Sequence, residues 1–199
     1  MRGRLIYVMG ASGAGKDSLL GYARERLGGS AILFAHRYIT RPADAGGENH
    51  IALTPVEFAW RQANGLFALQ WDSHGLQYGI GNEIQTWLEL GAGVVVNGSR
   101  AHLPQALQRY PGLAVIVIEA RPEVLAQRLA ARGRESAAAI EARLARQPAF
   151  ELTAQVRHTR IDNSGTLAQG GEAFLAALRV HAALDIELPQ ERAPRITPE

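Results

Sequence analysis

Cysteine is absent from the 199 residues, which excludes disulfides and every thiolate metal site and leaves the redox compartment open. Lysine is almost as scarce: Lys16 is the single lysine among 21 basic residues, all the others being arginine. No apolar run is long enough to span a bilayer, so no membrane partner is expected. A strong charge of either sign is also missing; a net charge of +2 gives no whole-molecule field to attract nucleic acid, and no nucleic-acid partner is expected. What is present, 47% hydrophobic and 20% charged residues, is the make-up of a soluble globular protein with one sizeable core. Met1-Arg2-Gly3-Arg4 precedes apolar residues as a signal peptide would. That run is too short and leads straight into a glycine loop, so it reads as a first core strand and the protein as cytoplasmic.

The lone lysine marks the most informative stretch. Apolar residues 5–9 stop at Gly10, and Gly10, Ala11, Ser12, Gly13, Ala14, Gly15 and Lys16 follow in the order of a phosphate-binding P-loop between a strand and a helix. Glycines let the backbone approach an anion, successive N–H groups and a helix terminus face the phosphates, and Lys16 supplies a mobile charge for the β- and γ-phosphates. The usual pattern places Ser or Thr directly after the lysine to hold magnesium. Here Asp17 stands in that place and Ser18 one residue later. A carboxylate binds Mg²⁺ directly or through water and a hydroxyl bonds a phosphate oxygen, so Asp17 and Ser18 are the candidate metal ligands and ATP with Mg²⁺ the expected cofactors.

Along the rest of the chain, apolar runs alternate with helical patterns, which predicts a parallel sheet covered on both faces, five-stranded and of the P-loop kinase class. A short strand at 31–35 should deliver His36 to Pro42 to the sheet edge, where Arg37 and Arg41 could grip an anionic acceptor. Thr54-Pro55-Val56-Glu57 predicts a capped helix, residues 67–71 and 76–80 a hairpin, and Asn82 with Gln85 a second cap. The domain is expected to cover residues 1–184, with an acceptor-binding excursion at about 36–82. Residues 185–199, polar and with three prolines, read as a flexible tail. Arg128 and Arg132 share a helical face, and Arg143 and Arg146 recur on a following helix at 136–147. This arginine-dense segment, about 133–147, suits a lid that closes on phosphates.

The order of these motifs resembles the guanylate-kinase branch of the P-loop monophosphate kinases over most of the chain, through the glycine loop, Thr40-Arg41-Pro42, Gly75-Leu76-Gln77-Tyr78-Gly79, Arg128-Leu129, Arg132-Gly133, Arg143-Leu144 and Ile161-Asp162-Asn163. The resemblance implies that Arg41 and Tyr78 hold the acceptor phosphate, that Arg128, Arg132 and Arg143 contact the transferring phosphates, and that Asn163 lies near the adenine of ATP. It also implies carboxylates for reading guanine near the positions of Leu69 and Asn97, and this chain has neither. Guanine N–H donors would then be left poorly paired, which makes GMP a weak candidate. Gly15-Lys16-Asp17-Ser18-Leu19 is more similar to the loop of the ribose 1,5-bisphosphate phosphokinase family of bacterial phosphonate breakdown. That resemblance implies transfer of the γ-phosphoryl group of ATP to a small sugar phosphate, ribose 1,5-bisphosphate, with Arg37 joining Arg41 and Tyr78 on its two phosphates. The competing readings are a nucleoside monophosphate kinase and a non-catalytic interaction module of the same fold.

Overall fold

Five consecutive apolar residues, Leu5 to Met9, put β1 (Arg4–Gly10) in the centre of the molecule, with Leu5, Tyr7 and Met9 facing one core and Ile6 and Val8 the other. Side chains alternate across a strand, so a strand apolar on every residue must be covered on both faces. The computed structural model describes residues 3–45, 48–131, 133, 152 and 156–182. Arg132, Arg143, Arg146, the helix expected at 136–147 and the tail at 185–199 therefore lie outside the described residues.

Chain order runs β1, α1 (Lys16–Arg26), β2 (Ile32–Phe34), β3 (Arg37–Ile39), β4 (Ile51–Ala52), α2 (Pro55–Ala63), β5 (Phe67–Ser73), β6 (Leu76–Gly81), α3 (Glu83–Glu89), β7 (Gly93–Asn97), α4 (Leu103–Arg109), β8 (Ala114–Glu119), α5 (Pro122–Ala131), β9 (His158–Asp162) and α6 (Leu167–Ala182). The main sheet has the order β2-β7-β1-β8-β9, and every pairing in it is parallel. The five-stranded parallel sheet is thus as anticipated. On one face α1 and α6 pack through Leu19, Leu20, Ala23, Phe174, Leu175 and Leu178, all at most 8% exposed. Burying a side chain of this size contributes roughly 1.5–3 kcal/mol each, which makes this helix pair the main support beneath the glycine loop.

The acceptor-side excursion is larger than a hairpin. β5 and β6 do form one, turning at His74 and Gly75, but β3 and β4 join them in a second sheet of order β4-β3-β6-β5. Residues 37–39, expected as part of a sheet-edge loop, are therefore a strand, paired antiparallel with Gly79 opposite Tyr38. A strand of three residues shows no periodicity of its own and is held by its neighbour. The second expected cap also differs. The Asn82 side chain donates to Gly65 O and Gln85 to the Tyr110 hydroxyl, so α3 begins without a side-chain cap. α2 is capped as expected, with Thr54 Oγ1 accepting from Glu57 N at 3.1 Å, although the Glu57 carboxylate turns to Arg61. Among the described residues no helix is long and apolar enough to cross a membrane.

Candidate active site

The glycine loop leaves β1 at Gly10 and enters α1 through Gly15, whose φ of 87° lies in the left-handed region. A Cβ there would also stand 2.4 Å from Asn163 Nδ2, so both conformation and space demand glycine. No side chain caps α1, which leaves its first amides open to an anion at the positive end of the helix. Lys16 folds back over the loop and donates to Gly10 O at 3.0 Å and Ala11 O at 3.3 Å. Burial lowers its pKa to about 8; the Asp17 carboxylate opposes that, the Arg37 and Arg100 cations add to it, and Glu48 pulls it back up. A crowded ammonium with these neighbours is poised to gain from a polyphosphate.

Asn163 and Arg128 support the loop. The backbone N–H of Asn163 donates to Glu119 O at 2.7 Å, extending the β8–β9 ladder by one residue, and Asp162 accepts from Ser164 N at 2.9 Å in a tight turn. The turn drives Asn163 inward, where it is 3% exposed and donates to Ala14 O at 2.8 Å. Asn163, expected near the adenine of ATP, here props the loop from within through this bond. Arg128 reaches the same carbonyl at 3.4 Å from α5, so the structure does bring this arginine to the phosphate loop.

The acceptor side is built around an ion pair that the sequence did not reveal. Arg37 engages Glu48 with Nε on Oε1 and Nη2 on Oε2, the two side chains being 14% and 11% exposed. Arg37 also lies over the Tyr78 ring, 5.2 Å from its centroid, and Tyr78 stacks on Trp71 at 5.5 Å. Arg37, expected on the acceptor phosphates, has its two-pronged face filled by Glu48 here. Arg41 is differently placed. Nη2 stands 3.2 Å from His50 Nδ1, His50 Nε2 stands 3.2 Å from Arg41 O, and Arg41 Nε is buried without a partner among the described residues. A proton on Nε2 satisfies both contacts with Arg41, whereas Nδ1 also stands 3.0 Å from Glu48 O, a contact that a proton on Nδ1 would serve instead.

Asn97 joins the two sides. It ends β7, and its Nδ2 donates to Asp17 Oδ1 at 3.0 Å and to Glu48 Oε1 at 3.5 Å. Asp17, Glu48, Asn49 and Asn97 line a small solvent-open cleft together with Phe34 and Val95. Contacts thus tie Lys16, Asp17, Arg128 and Asn163 to the loop and Arg37, Arg41 and Tyr78 to the Glu48 side, with Asn97 between the two, while Ser18 is exposed on α1. Glu48 was missed because a single carboxylate in a polar loop carries no periodic signal. Leu69, at a position where a base-reading carboxylate was sought, is 4% exposed in the core.

A family model described as AAA domain matches residues 6–147. A ribose 1,5-bisphosphate phosphokinase PhnN from Burkholderia pseudomallei (strain K96243) is 58% identical over 175 residues, 88% of this chain and 95% of that protein. A protein of the same name from Laribacter hongkongensis (strain HLHK9) is 60% identical over 179 residues, 90% of this chain, but the chain spans only 43% of that protein's length. Among solved structures, guanylate kinase from Anaplasma phagocytophilum shares the fold with a TM-score of 0.66, covering 92% of this chain and 88% of that one at 15% identity.

Proposed function

The chain belongs to the family of ribose 1,5-bisphosphate phosphokinases, and we propose on that premise that it transfers the γ-phosphoryl group of ATP to the 1-phosphate of ribose 1,5-bisphosphate, giving 5-phosphoribosyl 1-diphosphate and ADP. One observation carries the reading furthest: a glycine loop with a half-buried lysine is joined, through the Asn97 amide, to an arginine-bearing second sheet. A donor polyphosphate and an anionic acceptor would meet across that amide.

The nucleophile is a phosphate oxygen, largely ionised near neutral pH because the second pKa of a phosphate monoester is about 6, so no general base is needed. The work left to the protein is alignment and charge neutralisation. Lys16 would give up its two loop carbonyls for the β- and γ-phosphate oxygens. Arg128, already at Ala14 O, would reach the transferring group, and Arg132 and Arg143 would join it from the segment expected as a lid. Arg41 and Tyr78 would hold the acceptor, with Arg37 kept in place by Glu48. As a hard cation that takes one or two carboxylates besides phosphate oxygens and water, Mg²⁺ suits Asp17, with Ser18 as a further oxygen; bound there it would neutralise the polyphosphate.

Phosphorus NMR of the products from an acceptor panel tests the assignment. A new diphosphate signal from ribose 1,5-bisphosphate and ATP is the expected result, and equal or faster turnover of GMP would transfer the chain to the nucleoside monophosphate kinases.

A further inference from the structure

Asn97 uses only half of its side chain. Its Nδ2 is directed at two carboxylates, Asp17 Oδ1 and Glu48 Oε1. This fixes which end of the amide is which, because turning the group over would set its oxygen against two anionic acceptors. Oδ1 is left buried and without a partner among the described residues, in a side chain only 5% exposed. A buried acceptor with no donor costs stability, and such groups are kept where something that binds supplies the missing hydrogen.

The chemistry around Oδ1 narrows what that donor is. Lys16 already donates to two loop carbonyls and is the group that the donor phosphates attract. Phosphate oxygens are acceptors and give Oδ1 nothing. The two carboxylates beside Asn97 disfavour an anion in its immediate surroundings and welcome a neutral hydroxyl. In a pentose bisphosphate the only neutral donors are the 2- and 3-hydroxyl groups. Asn97 and Asp17, the residue next to the loop lysine, are hydrogen-bonded and line the same cleft, which puts Asn97 on the donor side of the acceptor. The hydroxyl on the carbon adjacent to the reacting 1-phosphate is the 2-hydroxyl. We infer that Asn97 Oδ1 accepts a hydrogen bond from the 2-hydroxyl of the acceptor sugar, with Asp17 and Glu48 holding the amide in the accepting orientation, so that Asn97 determines selection of ribose over 2-deoxyribose bisphosphates. This rests on the function proposed above.

The test compares kcat/KM of the full chain for ribose 1,5-bisphosphate, its 2-deoxy analogue and its 3-deoxy analogue, in the wild type and in Asn97→Leu and Asn97→Ser. The wild type should lose about tenfold or more on the 2-deoxy substrate and little on the 3-deoxy one, because a buried acceptor is left unpaired only in the first case. In Asn97→Leu the ribose substrate should fall by a similar factor and the ribose to 2-deoxyribose ratio should collapse towards one, a change that mere loosening of the site would not produce. If the leucine variant does not fold, Asn97→Ser and the wild-type analogue series decide the matter. Equal use of ribose and 2-deoxyribose substrates by the wild type, or a ratio that survives in the variants, overturns the inference and leaves the kinase assignment standing. Failure of the wild type to turn over ribose 1,5-bisphosphate removes the assignment itself and the inference with it.

Discussion

Arg37 on β3 and Glu48 in the loop before β4 form a two-pronged ion pair with both side chains largely shielded from water. Such a pair returns little net stability when intact, because two charges were desolvated to make it, but breaking it from one side leaves an uncompensated charge. Its value here is positional: it holds a guanidinium against the Tyr78 ring and a carboxylate within reach of Asn97.

Glu48→Gln should therefore lower stability by about 3 kcal/mol in denaturant melts, since the Arg37 cation would remain buried and unpaired. The double variant Arg37→Gln with Glu48→Gln should recover part of that loss. Full stability in the single variant would mean that the pair is open in solution.

Lys16 predicts a basic limb in nucleotide binding. Its pKa of about 8 in the free protein lies below the ordinary 10.5, with burial as the leading cause. Polyphosphate favours the ammonium form, so ATP affinity should fall as pH rises through about 8, and binding near that pH should take up a proton. The unliganded protein feels the same shift in reverse: its contribution to stability is full above the unfolded value and declines as pH falls through about 8. Calorimetry in buffers of different ionisation enthalpy reads the uptake directly, and a flat affinity between pH 7 and 9.5 would contradict it.

Asn163→Ala removes the amide that donates to Ala14 O at 2.8 Å and leaves that carbonyl to the longer contact from Arg128. A cost of about 1–3 kcal/mol in stability is expected, together with a higher KM for ATP and a nearly unchanged KM for the acceptor. A rise confined to the acceptor would place Asn163 on the wrong side of the cleft.

Arg41→Ala should raise the acceptor KM by roughly 10- to 100-fold and leave the KM for ATP in place, as expected for loss of a charge-assisted contact. Arg41→Lys should rescue it poorly, because the planar group that meets His50 at 3.2 Å is lost with the substitution. Steady-state kinetics with each substrate varied in turn separates these outcomes.

The loop and the main sheet were legible in the sequence because their signals are local: glycines within six residues of one another, and apolar runs of five or so that only a doubly covered strand can bury. The second sheet was half legible. The β5–β6 hairpin shows itself by length and turn residues, whereas β3 and β4 have three and two residues and owe their form to neighbours. Asn163 was recognised as a site residue, but its contact with Ala14 spans 149 positions that no spacing rule connects. The Glu48 partner of Arg37 was hidden for the same reason, being invisible until the chain folds.

Tyr7, in the middle of β1, has its hydroxyl bonded to both Ser99 O and Ser99 N at 2.9 Å, and a Cβ on Gly98 would come within 2.0 Å of its ring. The strand that ends in the phosphate loop and the segment that follows Asn97 are riveted together beneath the cleft. Their spacing is consequently settled when the protein folds, so the floor under the two substrates is one fixed piece and not a hinge.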